Sequence, residues 1–168
     1  SIDETKALLR DFDRKFPGLA KHLNDNARLA ESRGYTEGPQ GRRRRFARAV
    51  WSDPEEWVQA KARRQARNNG IQGSASDACL VAGFQLLDYI RKNDKSWKLL
   101  NMVHDALYIE VPVSELPAAL EAVELSLTDW TMEWMSEKFG INFVAPLEAD
   151  VDAGLSWGTY VTWNGTQP

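Results

Sequence analysis

Apolar residues recur at helical spacing over the first thirty residues. Leu8, Leu9, Phe12 and Phe16 step by three and four behind a Ser1-Ile2-Asp3-Glu4 capping box. Pro17-Gly18 interrupts this pattern. A second helix is predicted from about Leu19 to Arg33, with Leu23 and Leu29 on its apolar side and Gly34 as its stop. The helical period is lost over 34–46, which reads GYTEGPQGRRRRF. Gly38-Pro39-Gln40-Gly41 is turn chemistry and predicts a short β-hairpin or an ordered loop. Asp53-Pro54-Glu55-Glu56 marks a helix start, with Asp as N-cap and Pro at the first helical position. That helix should run to about Asn68. Gly70 and Gly73 are expected to interrupt it before a second long helix ends near Lys92. LLNMV and LYIEV, either side of a polar His104-Asp105, are the best strand signal and predict a strand pair within 99–113. Ser114 is expected to cap a helix. Leu116, Leu120, Val123, Leu127, Trp130 and Trp134 then form one apolar face of about five turns, ended by Phe139-Gly140. A last strand is expected over 147–151, with an irregular tail from Gly154. This order predicts an α+β domain with an antiparallel sheet.

Composition excludes several classes. At 168 residues, with 43 % apolar and 27 % charged side chains, the chain can bury a core without staples and is neither disordered nor collagen-like. No apolar run approaches the ~20 residues of a membrane span. The start, SIDETKALLRDF, shows no signal-peptide pattern. A single cysteine, Cys79, excludes an internal disulfide or a multi-cysteine zinc cluster, and a reducing, cytoplasmic setting is expected. The net charge of −3 conceals an asymmetry. Residues 1–70 carry 16 Lys and Arg against 10 Asp and Glu, and residues 71–168 carry 5 against 14. The basic half is suited to face a polyanion and the acidic half to face solvent or metal cations.

Three segments could carry chemistry. In Val103-His104-Asp105-Ala106-Leu107, a carboxylate at a tight turn is held rigidly at the end of two strands, as a hard divalent ion such as Mg²⁺ requires. The alternative is a plain polar turn. Arg64, Asn68 and Gln72 recur at a spacing of four, with Gln72 just past the expected helix break. Such residues donate to phosphates, sugars and the degenerate acceptors of a DNA minor groove. The alternative is a solvated helix face. Arg42 to Arg45, with Arg48, Tyr35 and Phe46 nearby, suits a nucleic-acid backbone or a solvated basic loop. Four adjacent arginines cannot all face one way in a strand. His22 reads as a surface residue, Cys79 as core, and Trp130 and Trp134 as packing. Asp77, Asp150 and Asp152 have no partner that the sequence places.

Taken together and in this order, these segments resemble the C-terminal part of family A, polymerase I-like, DNA polymerases. GYTEGPQGRRRRF is similar to the family's Gly-Tyr stretch followed by Gly-Arg-Arg. RRQARNNGIQGSASD is similar to its Arg-x-x-x-Asn…Gln-Gly segment, and NMVHDALYIEVP to its motif C. FPGLAKHLND and LEADVDAGLSWGTY also fit the family's spacing, so the resemblance covers nearly the whole chain. It implies that Asp105 is the motif C carboxylate that binds catalytic Mg²⁺. It likewise implies that His104 lies beside the primer terminus, and that Arg64, Asn68 and Gln72 sense a correctly paired terminus through the minor groove. Arg42 and Arg43 sit at the Gly-Arg-Arg pair. Residues 1–48 would be the end of the fingers, and 49–168 part of the palm, with an antiparallel palm sheet and the motif C hairpin packed on long helices.

Two departures qualify this. The family's motif C has Glu after the Asp, where this chain has Ala106, and Glu110 is no obvious substitute. The motif A carboxylate and the fingers helix that grips the triphosphate are also missing from the chain. Two-metal phosphoryl transfer needs both carboxylates. The expectation is therefore a C-terminal subunit or fragment of a split, phage-type polymerase. It would be inactive without a partner chain carrying motifs A and B, and would act on primer–template DNA and an incoming dNTP. Ser1 would arise from Met removal, a cut, or intein splicing. Two rivals are a non-catalytic DNA-binding module derived from a palm, which Ala106 favours, and a two-metal hydrolase, disfavoured because no second acidic cluster is visible.

Overall fold

In the computed structural model, which describes residues 1–162 and side chains through residue 159, the chain divides into two compact units, 1–74 and 75–168. The last residues of the expected palm segment, 163–168, lie outside the described residues. The fold is α+β as expected, mostly helical, and among the described residues its strands pair as three small two-stranded antiparallel sheets.

The first unit opens with α1 (Ile2–Lys15), whose N-terminus carries the expected capping box: Ser1 accepts from the Glu4 amide, and the Glu4 carboxylate reaches back to the Ser1 amine. Helix α2 (Pro17–Arg33) starts at Pro17 and stops at Gly34, which takes the left-handed conformation at φ 81°. The next residues pair as β1 (Tyr35–Glu37) and β2 (Arg43–Arg45), so the hairpin expectation holds. The Phe46 amide donates to the Gly34 carbonyl at 2.8 Å and closes the base of this hairpin. A short 3₁₀ turn over Arg48–Ser52 leads into α3 (Glu56–Lys92). The helix begins at Glu56, two residues later than the Asp53-Pro54 signal implied, because Asp53 Oδ1 accepts from the Glu55 amide in a local turn first.

Helix α3 is the main correction to the sequence reading. It runs unbroken for 37 residues through both Gly70 and Gly73. Gly70 is buried, and a Cβ there would lie 3.3 Å from Asn26 Nδ2 and 3.4 Å from His22 Nε2 of α2. The glycine lets the two helices approach, and tertiary packing overrides its poor helix propensity. Ala62 and Ala66 are buried earlier on the same helix.

In the second unit, β3 (Lys98–Val103) and β4 (Ala106–Glu110) form the expected strand pair, with a bulge between Leu99 and Asn101. The core combines Leu86 and Ile90 of α3 with Trp97, Ala119, Ala122 and Val123, and Leu99, Leu107 and Ile109 of the ribbon pack against it. Gly83 faces Leu107 and Leu99 at ordinary contact distance, so α3 lies directly under the ribbon. The single long helix expected from Ser114 is instead a 3₁₀ turn over Val113–Glu115, then α4 (Leu116–Leu127) and α5 (Asp129–Phe139). Local side-chain bonds break it. Thr128 Oγ1 donates to the Glu124 carbonyl at 2.8 Å, and buried Thr131 Oγ1 donates to the Ser126 carbonyl at 2.7 Å. Trp130 packs on Tyr89 with ring centres 5.2 Å apart, the packing role expected of it. The last strand falls at β5 (Asp152–Gly154), not 147–151, and pairs with β6 (Tyr160–Thr162) in the tail expected to be irregular. Among the described residues no helix is long and apolar enough to cross a membrane.

Candidate functional site

The candidate residues form two groups, one in each unit. In the first unit, the continuity of α3 places Arg64, Asn68 and Gln72 on one stripe. All three are exposed, while Ala62, Ala66 and Gly70 are buried. Gln72 therefore sits on the helix itself, not beyond a break. The side of small buried residues meets α2 at Gly70, beside His22 and Asn26, and the opposite side carries the three exposed hydrogen-bonding side chains.

The arginine hairpin is the second component of that unit. All three residues of β2 are exposed. The four arginines are not equivalent. Arg43 makes an ion pair with Glu37, and its guanidinium lies 4.7 Å from the centre of the Tyr35 ring. Arg33 covers the same ring at 4.3 Å. The Arg43 bond and charge hold the Glu37 carboxyl below its ordinary range, and Glu37 holds the Arg43 guanidinium charged. Arg44 lies 5.7 Å over the Phe46 ring. Among the described residues neither Arg44 nor Arg45 pairs with a carboxylate. Thr36 on β1 is wholly buried, and its hydroxyl has no hydrogen-bond partner there. The tip of the hairpin meets α3: Ser74 Oγ is 3.2 Å from Gln40 Oε1 and 2.6 Å from the Gly70 carbonyl.

In the second unit, His104 and Asp105 form the two-residue turn between Val103 and Ala106, and both are exposed. His104 has φ 56°, a left-handed backbone unusual outside glycine, and Asp105 does not share it. A positive φ at the first central position of a two-residue turn normally selects glycine. The turn is thus strained, and the core-backed ribbon holds it. Cys79 of α3 is buried, and its thiol is pushed up first by that burial and then by the negative charge of Asp105. Asp105 is the only carboxylate of the turn. Its oxygens are hard donors of the kind Mg²⁺ takes. Among the described residues, no three His, Cys, Asp or Glu side chains converge as a metal site. The chemistry of Asp105 therefore fits one ligand of such a site and not a complete one.

The sequence reading missed Ser74 and Gln40, which lie 34 residues apart, and the different states of Arg43 and Arg44. The turn residues around Gln40 were the available signal for the first, and the Glu37 opposite Arg43 for the second.

The sequence model of DNA polymerase family A matches residues 1–159. DNA polymerase I of Streptococcus pneumoniae is 30 % identical over 157 residues, which are 94 % of this chain and 16 % of the relative. DNA polymerase I of Mycobacterium leprae is 30 % identical over 158 residues, again 94 % and 16 %. DNA polymerase theta of Drosophila melanogaster is 26 % identical over 167 residues, 8 % of its length. Among solved structures, the polymerase domain of Pol1 from M. smegmatis, in complex with DNA primer–template and dNTP, superposes with a TM-score of 0.71 at 28 % identity. It covers 88 % of this chain and 24 % of its own. The chain spans about a sixth of the length of the polymerase I relatives it matches.

Proposed function

The chain belongs to DNA polymerase family A, and on that premise we propose that it supplies motif C and the minor-groove contacts for template-directed addition of deoxynucleotides to a DNA primer. In this reading residues 1–48 are the C-terminal part of the fingers and 49–168 the C-terminal part of the palm. Asp105 is a metal-binding carboxylate, and His104 lies beside the primer terminus. Arg64, Asn68 and Gln72 donate to groove acceptors, which every correctly paired terminus presents in the same places. Arg42 and Arg43 belong to a basic hairpin that favours the DNA backbone.

The observation that carries this reading is the strained His104-Asp105 turn. A turn selected for stability alone would place glycine at His104. Keeping a histidine there, beside an exposed carboxylate on a core-backed ribbon, fits a site that must hold both groups in fixed positions. When bound, Mg²⁺ would polarise the phosphoryl oxygens and offset developing negative charge. Asp105 would hold one side of it, with the remaining ligands coming from the polymerase segments that carry motifs A and B.

Primer extension tests the reading. With Mg²⁺, dNTPs and a primer–template, the chain alone should add no nucleotide, and extension should appear when a polymerase segment carrying motifs A and B is supplied. Extension by the pure chain would contradict the shared site. A combination that binds DNA and never extends it would favour the binding-module reading, to which Ala106 lends weight.

A further inference from the structure

The ribbon that carries His104 and Asp105 is met on its outer face by a residue from much later in the chain. Leu107 and Ile109 of β4 pack on the core, so Tyr108 between them points to the opposite face. There its ring stacks on Trp157, with centres 4.1 Å apart and planes 17° from parallel. Trp157 lies in the loop that joins β5 to β6. That loop is a tight turn. The Thr159 amide donates to the Ser156 carbonyl at 3.1 Å, and the Thr159 hydroxyl donates to the same carbonyl at 2.8 Å. The Ser156 amide donates back to the Thr159 hydroxyl oxygen at 3.1 Å. Gly158 takes φ 85°, the left-handed value that the third position of a type II turn requires. The chain below the turn is rooted, with Ala153 buried and Val151 against the core. A hydrogen-bonded turn on a rooted hairpin thus sets an indole on one residue of the ribbon. The indole is 66 % exposed, so its own burial is a small part of what it does.

The ladder of β3 and β4 is interrupted by the bulge between Leu99 and Asn101, and Tyr108 is the residue opposite Asn101. Between the bulge and the turn stand the pairs Asn101–Tyr108, Met102–Leu107 and Val103–Ala106. Asn101, Met102 and Val103 are all exposed. A bulge disrupts the ladder and bends the strand, so the turn end of this ribbon depends on what grips β4. Leu107 holds it from the core side, and Trp157 meets it at Tyr108 from the other. We propose that Trp157 is a positioning residue that clamps the turn end of the ribbon through Tyr108 and so fixes the Asp105 carboxylate for the metal-dependent step. Mg²⁺ demands near-ideal octahedral geometry, so a carboxylate that drifts loses both affinity for the ion and rate. This rests on the metal-binding role proposed for Asp105, and deepens it by assigning the residue that steadies it.

The test uses the chain assembled with the motif A and B segment, a DNA primer–template and Mg²⁺. In Trp157→Ala, single-turnover extension should slow about tenfold, because small displacements of a catalytic group are costly. The Mg²⁺ concentration for half-maximal rate should rise about threefold or more, which a merely structural role would not produce. Primer–template affinity should stay within about twofold, because the proposed groove contacts lie on other residues. Trp157→Phe, which keeps an aromatic face, should recover most of the rate and of the Mg²⁺ dependence. In the Asp105→Asn background Trp157→Ala should cost almost nothing more, because the clamp acts through that carboxylate. Without DNA or metal, amide exchange over 101–108 should rise in Trp157→Ala, while that over 86–90, in the core of α3, stays as before. If Trp157→Ala leaves rate, Mg²⁺ dependence and exchange unchanged while the wild-type assembly extends normally, the clamp is wrong and the polymerase reading stands. Faster exchange throughout the unit with unchanged Mg²⁺ dependence would make Trp157 structural and overturn the proposal. No extension by the wild-type assembly, or near-normal extension by Asp105→Asn, would overturn the metal-binding reading and the clamp with it.

Discussion

Two hairpins of similar outline are built on opposite principles. The ribbon β3–β4 rests on a continuous apolar core, with Leu99, Leu107 and Ile109 against Leu86, Ile90 and Val123. The hairpin β1–β2 exposes the whole of one strand and buries one side chain of the other, Thr36, whose hydroxyl is unsatisfied among the described residues. The first can hold a strained turn because apolar burial exceeds the cost of that turn. The second is shaped by an ion pair, aromatic faces and polar contact with a helix. Apolar backing suits a group that must stay within a fraction of an ångström, such as a metal-binding carboxylate. Charged, exposed arginines suit a polyanion whose position is not fixed so closely.

The largest contrast should appear on truncating what lies beneath each hairpin. Leu86→Ala removes a wholly buried side chain under β3–β4 and should cost about 3 kcal/mol in chemical denaturation. Thr36→Val, under β1–β2, removes an orphaned hydroxyl at nearly constant volume and should stabilise by ~1 kcal/mol. A loss of several kcal/mol at Thr36 would mean that the two hairpins are backed alike. His104→Gly should be neutral to slightly stabilising on the same measurement, because it relieves the left-handed backbone.

Next come the exposed residues of the α3 stripe, for which we propose groove contacts. Arg64→Ala and Gln72→Ala should each weaken binding of a matched primer terminus by on the order of tenfold and narrow the gap to a mismatched one. Neither should move the melting temperature much, since both side chains are exposed. A large loss of stability with unchanged terminus binding would make the stripe structural.

The smallest effect concerns Cys79. Burial and the nearby Asp105 charge both keep its thiol protonated at neutral pH, so labelling by a thiol reagent should be slow in the native state and fast on unfolding. Because the shift is upward, labelling should accelerate only as pH rises well past the ordinary thiol range. Asp105→Asn should move that onset modestly downward. No movement would place the carboxylate's charge farther from α3 than the account requires.

Much of this was legible in the sequence because it is local. The capping box at Ser1, the His104-Asp105 turn between apolar runs, and the four-residue spacing of Arg64, Asn68 and Gln72 each need only neighbouring residues to be read. What failed was set by contacts that hydrophobic periodicity and propensity do not register, some distant and some local. Gly70 looked like a break because its propensity is poor, yet it lies within α3, where its missing Cβ leaves room for His22 and Asn26 of α2. The turn at Thr128 interrupts an unbroken apolar period, because hydroxyl-to-carbonyl bonds compete with the helix there. Strand β5 depends on a partner at Tyr160–Thr162, and nothing in its own three residues announces it. The inequality of Arg43 and Arg44 follows from register, which places Glu37 opposite Arg43.

The central claim is that the strained turn on the core-backed ribbon holds a metal-binding carboxylate at Asp105. Single-turnover primer extension by Asp105→Asn, in the assembly with the motif A and B segment, tests it most directly. Asn keeps the shape and loses the charge. The account predicts a fall of a hundredfold or more in rate, roughly 3 kcal/mol of transition-state stabilisation. Primer–template affinity, measured in parallel, should stay within about twofold, because the proposed groove contacts lie on other residues. Near-normal extension by Asp105→Asn would contradict the assignment of motif C and leave the DNA-binding module as the better reading.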